Sequence, residues 1–133
     1  MWRQLDVDKN ESYEKYLRDQ DERQKQLDAI VNDAMTRVTS QIAARQPPIH
    51  SHFFYGATAI HPKHLVTWYV FRTDSEWRAA KRSGLTSEIE AATRAELAVG
   101  GYPVEGVDLM TVSFTSKQDI QRKSGGNDRE YFK

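Results

Sequence analysis

The first 46 residues of the chain contain no proline and no glycine, and two prolines, Pro47 and Pro48, follow at once. Proline and glycine are the residues that most disfavour a helix interior, so this stretch permits one uninterrupted helix that the prolines must end. Asp8 and Glu11 have the spacing of a capping box. We therefore predict a helix over residues 9–45. At ~1.5 Å per residue it would be ~54 Å long, so it must project, bend or pack against another chain.

The two halves of this helix differ in composition. The second half carries apolar residues at spacings of three and four, which predicts a face that packs on the core: Leu27, Ile30, Val31, Ala34, Met35, Val38 and Ile42. The first half carries opposite charges four residues apart, a pattern that stabilises a solvated helix: Glu14–Arg18, Lys15–Asp19, Arg18–Glu22, Asp19–Arg23 and Asp21–Lys25. In the first half, the apolar face is reduced to Tyr13, Tyr16 and Leu17. These three either decorate a solvated extension or form a docking or dimerisation surface.

Two segments rich in aromatic and β-branched residues, 52–60 and 65–73, predict a pair of β-strands. The turn between them, His61–His64, predicts an antiparallel hairpin. In the second strand, alternation places Leu65, Thr67, Tyr69 and Phe71 on one face and Val66, Trp68 and Val70 on the other. Both faces carry apolar residues, so we expect a central strand or a strand with one face against a partner. Residues 107–115 predict a third strand.

Three further helices are predicted over residues 75–83, 87–99 and 117–123. Thr73, Ser87 and Ser116 are their candidate capping residues. Glycines after Ser124 are predicted to end the last helix, and residues 128–133 would form a short strand or a packed terminus. We expect an α+β fold, in which an antiparallel sheet of three or four strands is covered by helices, with a long N-terminal helix. One domain would span residues 1–133, with a linker at 46–51.

All four histidines lie in residues 49–64: His50, His52, His61 and His64. A tetrahedral zinc site would need the two pairs to meet. A nine-residue strand spans ~30 Å and would hold them apart. We therefore predict no metal site, and expect histidines at the ends of strands. A partner-binding or pH-sensitive surface is the open alternative.

Composition excludes several other functions. There is no cysteine, and lysine plus arginine equals aspartate plus glutamate, at 19 each. A balanced charge gives no electrostatic basis for a nucleic-acid or membrane partner. Aromatic residues of the predicted hairpin could stack on bases, but core packing uses the same residue types. No apolar segment has the length of a signal peptide or membrane span, and we see no cofactor motif, so we expect a soluble, cytoplasmic protein without a cofactor.

The C-terminal third has a combination of features that is similar to small uncharacterised bacterial proteins. In VDLMTVSFTSKQDIQRKSGGNDREYFK, a strand ending in Phe-x-Ser precedes a short polar helix, a Gly-Gly-Asn turn and an aromatic tail. Some of these bacterial proteins look like immunity proteins of toxin–immunity systems. The resemblance covers at most residues 52–133. It implies a binding function without catalysis, and it transfers no functional residue to this chain.

The leading hypothesis is a non-enzymatic protein-binding module that neutralises a bacterial toxin through Tyr13, Tyr16 and Leu17. It would be a monomer or a homodimer, and its partner another protein. One alternative is a small enzyme or ligand-binding protein whose helix–sheet pocket uses His52 or His64 as an acid/base group. Another is self-assembly through the long helix. Gln20 and Gln24 interrupt the apolar positions of such a coiled coil.

Overall fold

The computed structural model describes the backbone of residues 2–124 and the side chains of residues 10–124. Its elements follow in the order α1 (Trp2–Gln41), β1 (Ser51–Tyr55), a short 3₁₀ helix (Pro62–His64), β2 (Val66–Phe71), α2 (Asp74–Ser83), α3 (Leu85–Val99), α4 (Val104–Leu109), β3 (Thr111–Ser116) and α5 (Lys117–Ser124). The predicted α+β class and the long N-terminal helix are confirmed. The predicted C-terminal segment 128–133 lies outside the described residues.

The three strands form one mixed sheet in the order β1-β2-β3. The predicted hairpin is confirmed, because β1 and β2 pair antiparallel, with Ser51 opposite Val70 and Tyr55 opposite Val66. The third strand departs from the antiparallel sheet expected from the sequence. β3 pairs parallel to β2, with Val66 beside Thr111. A parallel neighbour needs a long crossover, which α2, α3 and α4 provide.

The core lies between one face of this sheet and the helices α1 and α3. Leu65, Thr67, Tyr69 and Phe71 of the segment around β2 are fully buried on that face, as the alternation predicted. The second half of α1 and the following Ile42 supply the predicted apolar residues, all buried except the half-buried Ile30. Polar contacts fix α1 to α3, because Glu96 accepts hydrogen bonds from Arg37 at 2.7 Å and from Gln41 at 2.7 Å.

Several helix boundaries follow local capping chemistry. The backbone N–H of Glu76 donates to Thr73 Oγ1 at 3.1 Å, and that of Asp119 donates to Ser116 Oγ at 2.9 Å, so both predicted caps are confirmed. The cap predicted at Ser87 is wrong, because α3 already begins at Leu85 after Gly84. The capping box predicted at Asp8 is also wrong, because α1 begins at Trp2 and Asp8 lies inside it.

Two predicted strands differ in length or type. The first ends at Tyr55 rather than residue 60, because Gly56 turns the chain with φ +136° and a side chain there would collide with the His64 carbonyl. The segment predicted as strand 107–115 begins instead with helix α4. Gly106 lets α4 approach Pro62 and Tyr102 closely, because a Cβ on Gly106 would lie 2.5 Å from each.

Candidate functional site

The first part of α1 extends beyond the helices and strands that cover its second part. Every residue from Asn10 to Asp19 is exposed, whereas buried positions begin at Leu27 and recur to Ile42. We call residues 10–23 the arm and residues 24–42 the anchored segment. Residues 10–19 of the predicted extension are therefore helical and exposed in the part of the chain that the structure describes.

Tyr13, Tyr16 and Leu17 lie on the arm and are 63%, 55% and 47% exposed. They are among the largest exposed apolar side chains of residues 10–124. With ~100° of rotation per residue, all three fall within the same arc, ~100° wide, that contains the buried residues of the anchored segment. The face that packs on the core thus continues along the arm as an uncovered apolar stripe.

Gln24 marks the point where this stripe leaves the core. Its side-chain nitrogen donates to Thr58 Oγ1 at 2.8 Å and to the Gly56 carbonyl at 3.3 Å. Its side-chain oxygen accepts from the backbone N–H of Ala59 at 3.1 Å. Sequence reasoning treated Gln24 as an interruption of an apolar pattern. The structure shows that its amide holds the loop after β1, a role that no local sequence signal reveals.

Gln20 lies one helical turn further out and has a different environment. Its side-chain oxygen is buried and has no hydrogen-bond partner among the described residues. A buried carbonyl oxygen without a donor costs free energy, because it has given up its bond to water. The two glutamines therefore occupy the same stripe, but only Gln24 is satisfied by the protein body.

The opposite charges of the arm form few of the predicted pairs. Of the five expected, only Asp21 and Lys25 come within 4 Å in residues 10–124, at 3.1 Å, and both side chains are about two-thirds exposed or more. Exposed pairs of this kind contribute little stability. The arm helix consequently gains only a small stabilisation from its own charges, and its apolar stripe remains accessible.

The histidines do not assemble a metal site. The rings of His61 and His64 meet edge to face at 6.1 Å, and His61 Nδ1 accepts a hydrogen bond from the Lys63 backbone. His52 lies beside Tyr69 on the core side of the sheet, where burial lowers its pKa. Within residues 10–124, no group of three or more metal-binding side chains lies close enough to hold an ion.

The hydrogen-bonding capacity of the buried tyrosines is met inside the fold. Tyr69 shares a hydrogen bond of 2.7 Å with Thr93, and Tyr102 donates to the Pro62 carbonyl at 2.7 Å. Burial raises the pKa of each to about 12. Both hydroxyls are therefore protonated near neutral pH and serve the core.

The aromatic residues of the hairpin lie on opposite faces of the sheet. Phe53 stacks on Trp68, whose indole nitrogen donates to the Tyr55 hydroxyl at 3.3 Å. Tyr69 is on the other face and completely buried. These four side chains thus cannot form one base-stacking platform.

A small cleft separates β1 from α5. Its volume is about 270 Å³, and its apolar wall includes Val70 and Ile120. Its polar lining consists of His50, Ser51, Lys117 and Gln121. This helix–sheet cleft contains a histidine, as one of the sequence hypotheses required. That histidine is His50 rather than the predicted His52 or His64.

Comparison of the chain with protein-family models, with curated proteins and with solved structures finds no match in any of the three. Among the helices of residues 2–124, none combines the length and apolarity that crossing a bilayer requires.

Proposed function

We propose that this protein is a protein-binding module whose arm docks into a partner through Tyr13, Tyr16 and Leu17. The observation that carries the proposal is the continuation of the core-facing apolar stripe into a part of α1 where residues 10–19 are all exposed. Exposed apolar residues scattered singly need no explanation. Three on one helical face, in line with a buried face, have the i, i+3, i+4 spacing by which helices insert into grooves.

The finer form of the proposal is that the partner is a bacterial toxin and that this chain neutralises it. It extends the proposed resemblance of the C-terminal third to small bacterial proteins, some of which look like immunity proteins. It is supported by the chemistry of the arm, since a neutralising protein needs complementarity rather than catalysis. Tyrosine is among the residue types that most often dominate binding energy at interfaces.

The test uses a triple variant, Tyr13→Ser, Tyr16→Ser, Leu17→Ser, as bait in extracts of the native organism. The matched control, Lys15→Ser, Arg18→Ser, Glu22→Ser, removes three long side chains from the opposite face of the same turns. We expect one stoichiometric partner to be retained by the wild type and the control but lost by the first variant, with both variants folded. A partner retained equally by both variants would contradict the assignment of the surface.

A separate experiment tests whether the captured partner is a toxin that this chain neutralises. The gene for the captured partner is expressed alone and together with this chain in a neutral bacterial host. We expect growth arrest in the first case and normal growth in the second, with protection lost for the Tyr13, Tyr16, Leu17 variant. If the partner is harmless when expressed alone, the protein-binding proposal stands and the proposal that the partner is a toxin is wrong.

A second candidate function, binding of a small anionic ligand, is favoured by the cleft between β1 and α5. His50 and Lys117 bring two basic groups to a cavity whose wall includes the buried Val70 and Ile120. A carboxylate with a short apolar body fits this chemistry, because its charge meets the bases and its body meets the wall.

Benzoate and inorganic phosphate are suitable probes for the cleft. We expect benzoate to shift the ring signals of His50 in NMR spectra, with a dissociation constant of about 1 mM or lower. Lys117→Met should weaken this binding, whereas Lys81→Met, on α2, should not. Identical, unsaturable shifts of His50 and His64 would show general ionic effects and reject the cleft as a site.

A further inference from the structure

One edge of the apolar stripe carries mainly acidic residues, with Lys25 as a basic residue at its outer side, 3.1 Å from Asp21. Glu14, Asp21 and Asp28 recur every seven residues, so they lie almost in line along the helix beside Leu17 and Gln24. Glu14 and Asp21 are exposed, and Asp28 is half-buried where the arm meets the body. The opposite edge carries Ser12, Asp19, Arg23 and Gln26 and has no uniform sign. The uncovered face is therefore apolar with an acidic border on one side.

A parallel pairing of two copies through this face is blocked by the body. The stripe of the arm and the covered face of the anchored segment are the same helical face. Two arms placed side by side in parallel would therefore direct both bodies into the same space. Parallel pairing would need α1 to bend sharply near Gln24, yet α1 is one helix from Trp2 to Gln41.

An antiparallel pairing separates the bodies but opposes like charges. A two-fold axis perpendicular to two antiparallel helices places each edge of one helix against the same edge of the other. The acidic border would then face itself, with Glu14 and Asp21 of one copy near those of the second. Like charges at such positions destabilise a helix pair. The like charges of the acidic border thus disfavour an antiparallel pairing of two arms through this face.

We infer that the arm takes a different protein as its occupant, one whose apolar groove is bordered by lysine or arginine on the side that meets Glu14 and Asp21. This inference rests on the proposed function and specifies its partner. The ion pair of Asp21 with Lys25 does not compete strongly, because both side chains are largely exposed and can exchange partners. The acidic border then favours apolar grooves with basic borders over apolar grooves with acidic borders.

The inference can be tested with a probe made from this chain. The variant Glu14→Lys, Asp21→Lys keeps the apolar stripe and reverses its border, so it is an apolar helix face with a basic edge. Mixed with the wild type, it can pair antiparallel with opposite charges in contact. We expect the mixture to associate at least about tenfold more tightly than either protein alone, a difference of ~1.4 kcal/mol. Sedimentation equilibrium measures this, and the gain should fall as salt rises.

The matched control is Glu11→Lys, Glu22→Lys, which makes the same change of net charge on the opposite face of the arm. Its mixture with the wild type should associate no more tightly than the wild type with itself. Adding Leu17→Ser to the basic-edged variant should remove the gain, because the apolar stripe is then interrupted. Equal association of both charge variants with the wild type, or strong self-association of the wild type, would overturn the inference.

The two proposals fail in different ways. If extract capture yields a partner that depends on Tyr13, Tyr16 and Leu17, but its affinity is unchanged by Glu14→Lys, Asp21→Lys, protein binding stands and the basic border is wrong. If capture yields no partner that depends on the stripe, the proposed function fails and the inference about that partner fails with it. Agreement requires the charge variant to weaken the captured complex while the Glu11, Glu22 control leaves it intact.

Discussion

The arm and the anchored segment of α1 present the same helical face to different surroundings. Met35 and Val31 are completely buried on that face, whereas Tyr13 and Tyr16 on the same face are more than half exposed. Both halves follow the period expected of an amphipathic helix. The difference teaches that apolar periodicity identifies which face of a helix is prepared for burial. Whether anything covers that face depends on how far the rest of the chain extends.

The largest expected effect is a difference in stability between truncating a buried residue of the anchored segment and truncating an exposed residue of the arm. Met35→Ala removes a buried side chain of the anchored segment, and we expect a loss of ~2–5 kcal/mol in the free energy of unfolding. Leu17→Ala on the arm should change it by less than ~0.5 kcal/mol. Urea denaturation measures both. Comparable losses would show that Leu17 packs against the body, and the distinction between the two halves would fail.

The next effect tests the junction between the halves. Gln24→Leu removes the hydrogen bonds to Gly56, Thr58 and Ala59 and leaves the Ala59 N–H without its acceptor. We expect a loss of ~1–3 kcal/mol in the free energy of unfolding, with increased amide exchange in the loop after β1. Unchanged stability would mean that water replaces the Gln24 amide at no cost.

Gln20 should respond in the opposite direction. Its buried oxygen lacks a donor among the described residues, so Gln20→Leu removes an unsatisfied acceptor and extends the apolar stripe. We expect a gain of ~1 kcal/mol in the free energy of unfolding. Gln20→Glu, of nearly the same shape, should lower stability because it adds a charge at a partly buried position. Thermal unfolding of the two variants, compared with the wild type, decides the sign.

The smallest expected effect is on the loss of thermal stability at acidic pH. Hydrogen bonds from Arg37 and then Gln41 hold the pKa of Glu96 below its ordinary value. The folded pKa is depressed, so the stabilisation is present above the unfolded pKa of ~4.3 and is lost as pH falls through the folded value. Glu96→Gln should therefore reduce the fall in Tm on acidification, whereas Glu14→Gln on the arm should not. Parallel Tm curves for all three proteins would contradict this linkage.

Local chemistry explains what the sequence could predict of the fold. The long helix ends at Gln41, before the predicted residue 45 and ahead of Pro47 and Pro48. Thr73 and Ser116 cap the helices that follow them. Each signal acts over a few residues and needs no knowledge of the rest of the chain. The face of β2 that is buried, which includes Tyr69, was predictable for the same reason, because alternation is a local property of a strand.

Non-local contacts explain what the sequence did not predict. The parallel pairing of β3 depends on where three intervening helices return the chain, which no property of residues 111–116 records. Residues 104–109 form a helix, and its Gly106 packs closely against Pro62, which is more than 40 residues away in sequence. Tyr13, Tyr16 and Leu17 are exposed, as both predicted alternatives for them require, and their role as a docking surface stays a prediction.

The position of the Gln24 contacts gives the arm a mechanical property. Because α1 is one continuous helix, the 22 residues from Gln24 back to Trp2 act as a lever ~33 Å long. A tilt of about 5° at the pivot would move the tip by ~3 Å, nearly the width of a side-chain contact. The contacts of Gln24 with Gly56, Thr58 and Ala59, together with the buried face of the anchored segment, thereby hold the direction in which Tyr13, Tyr16 and Leu17 point. A change in the loop after β1 would therefore shift the position of these three side chains without replacing any of them.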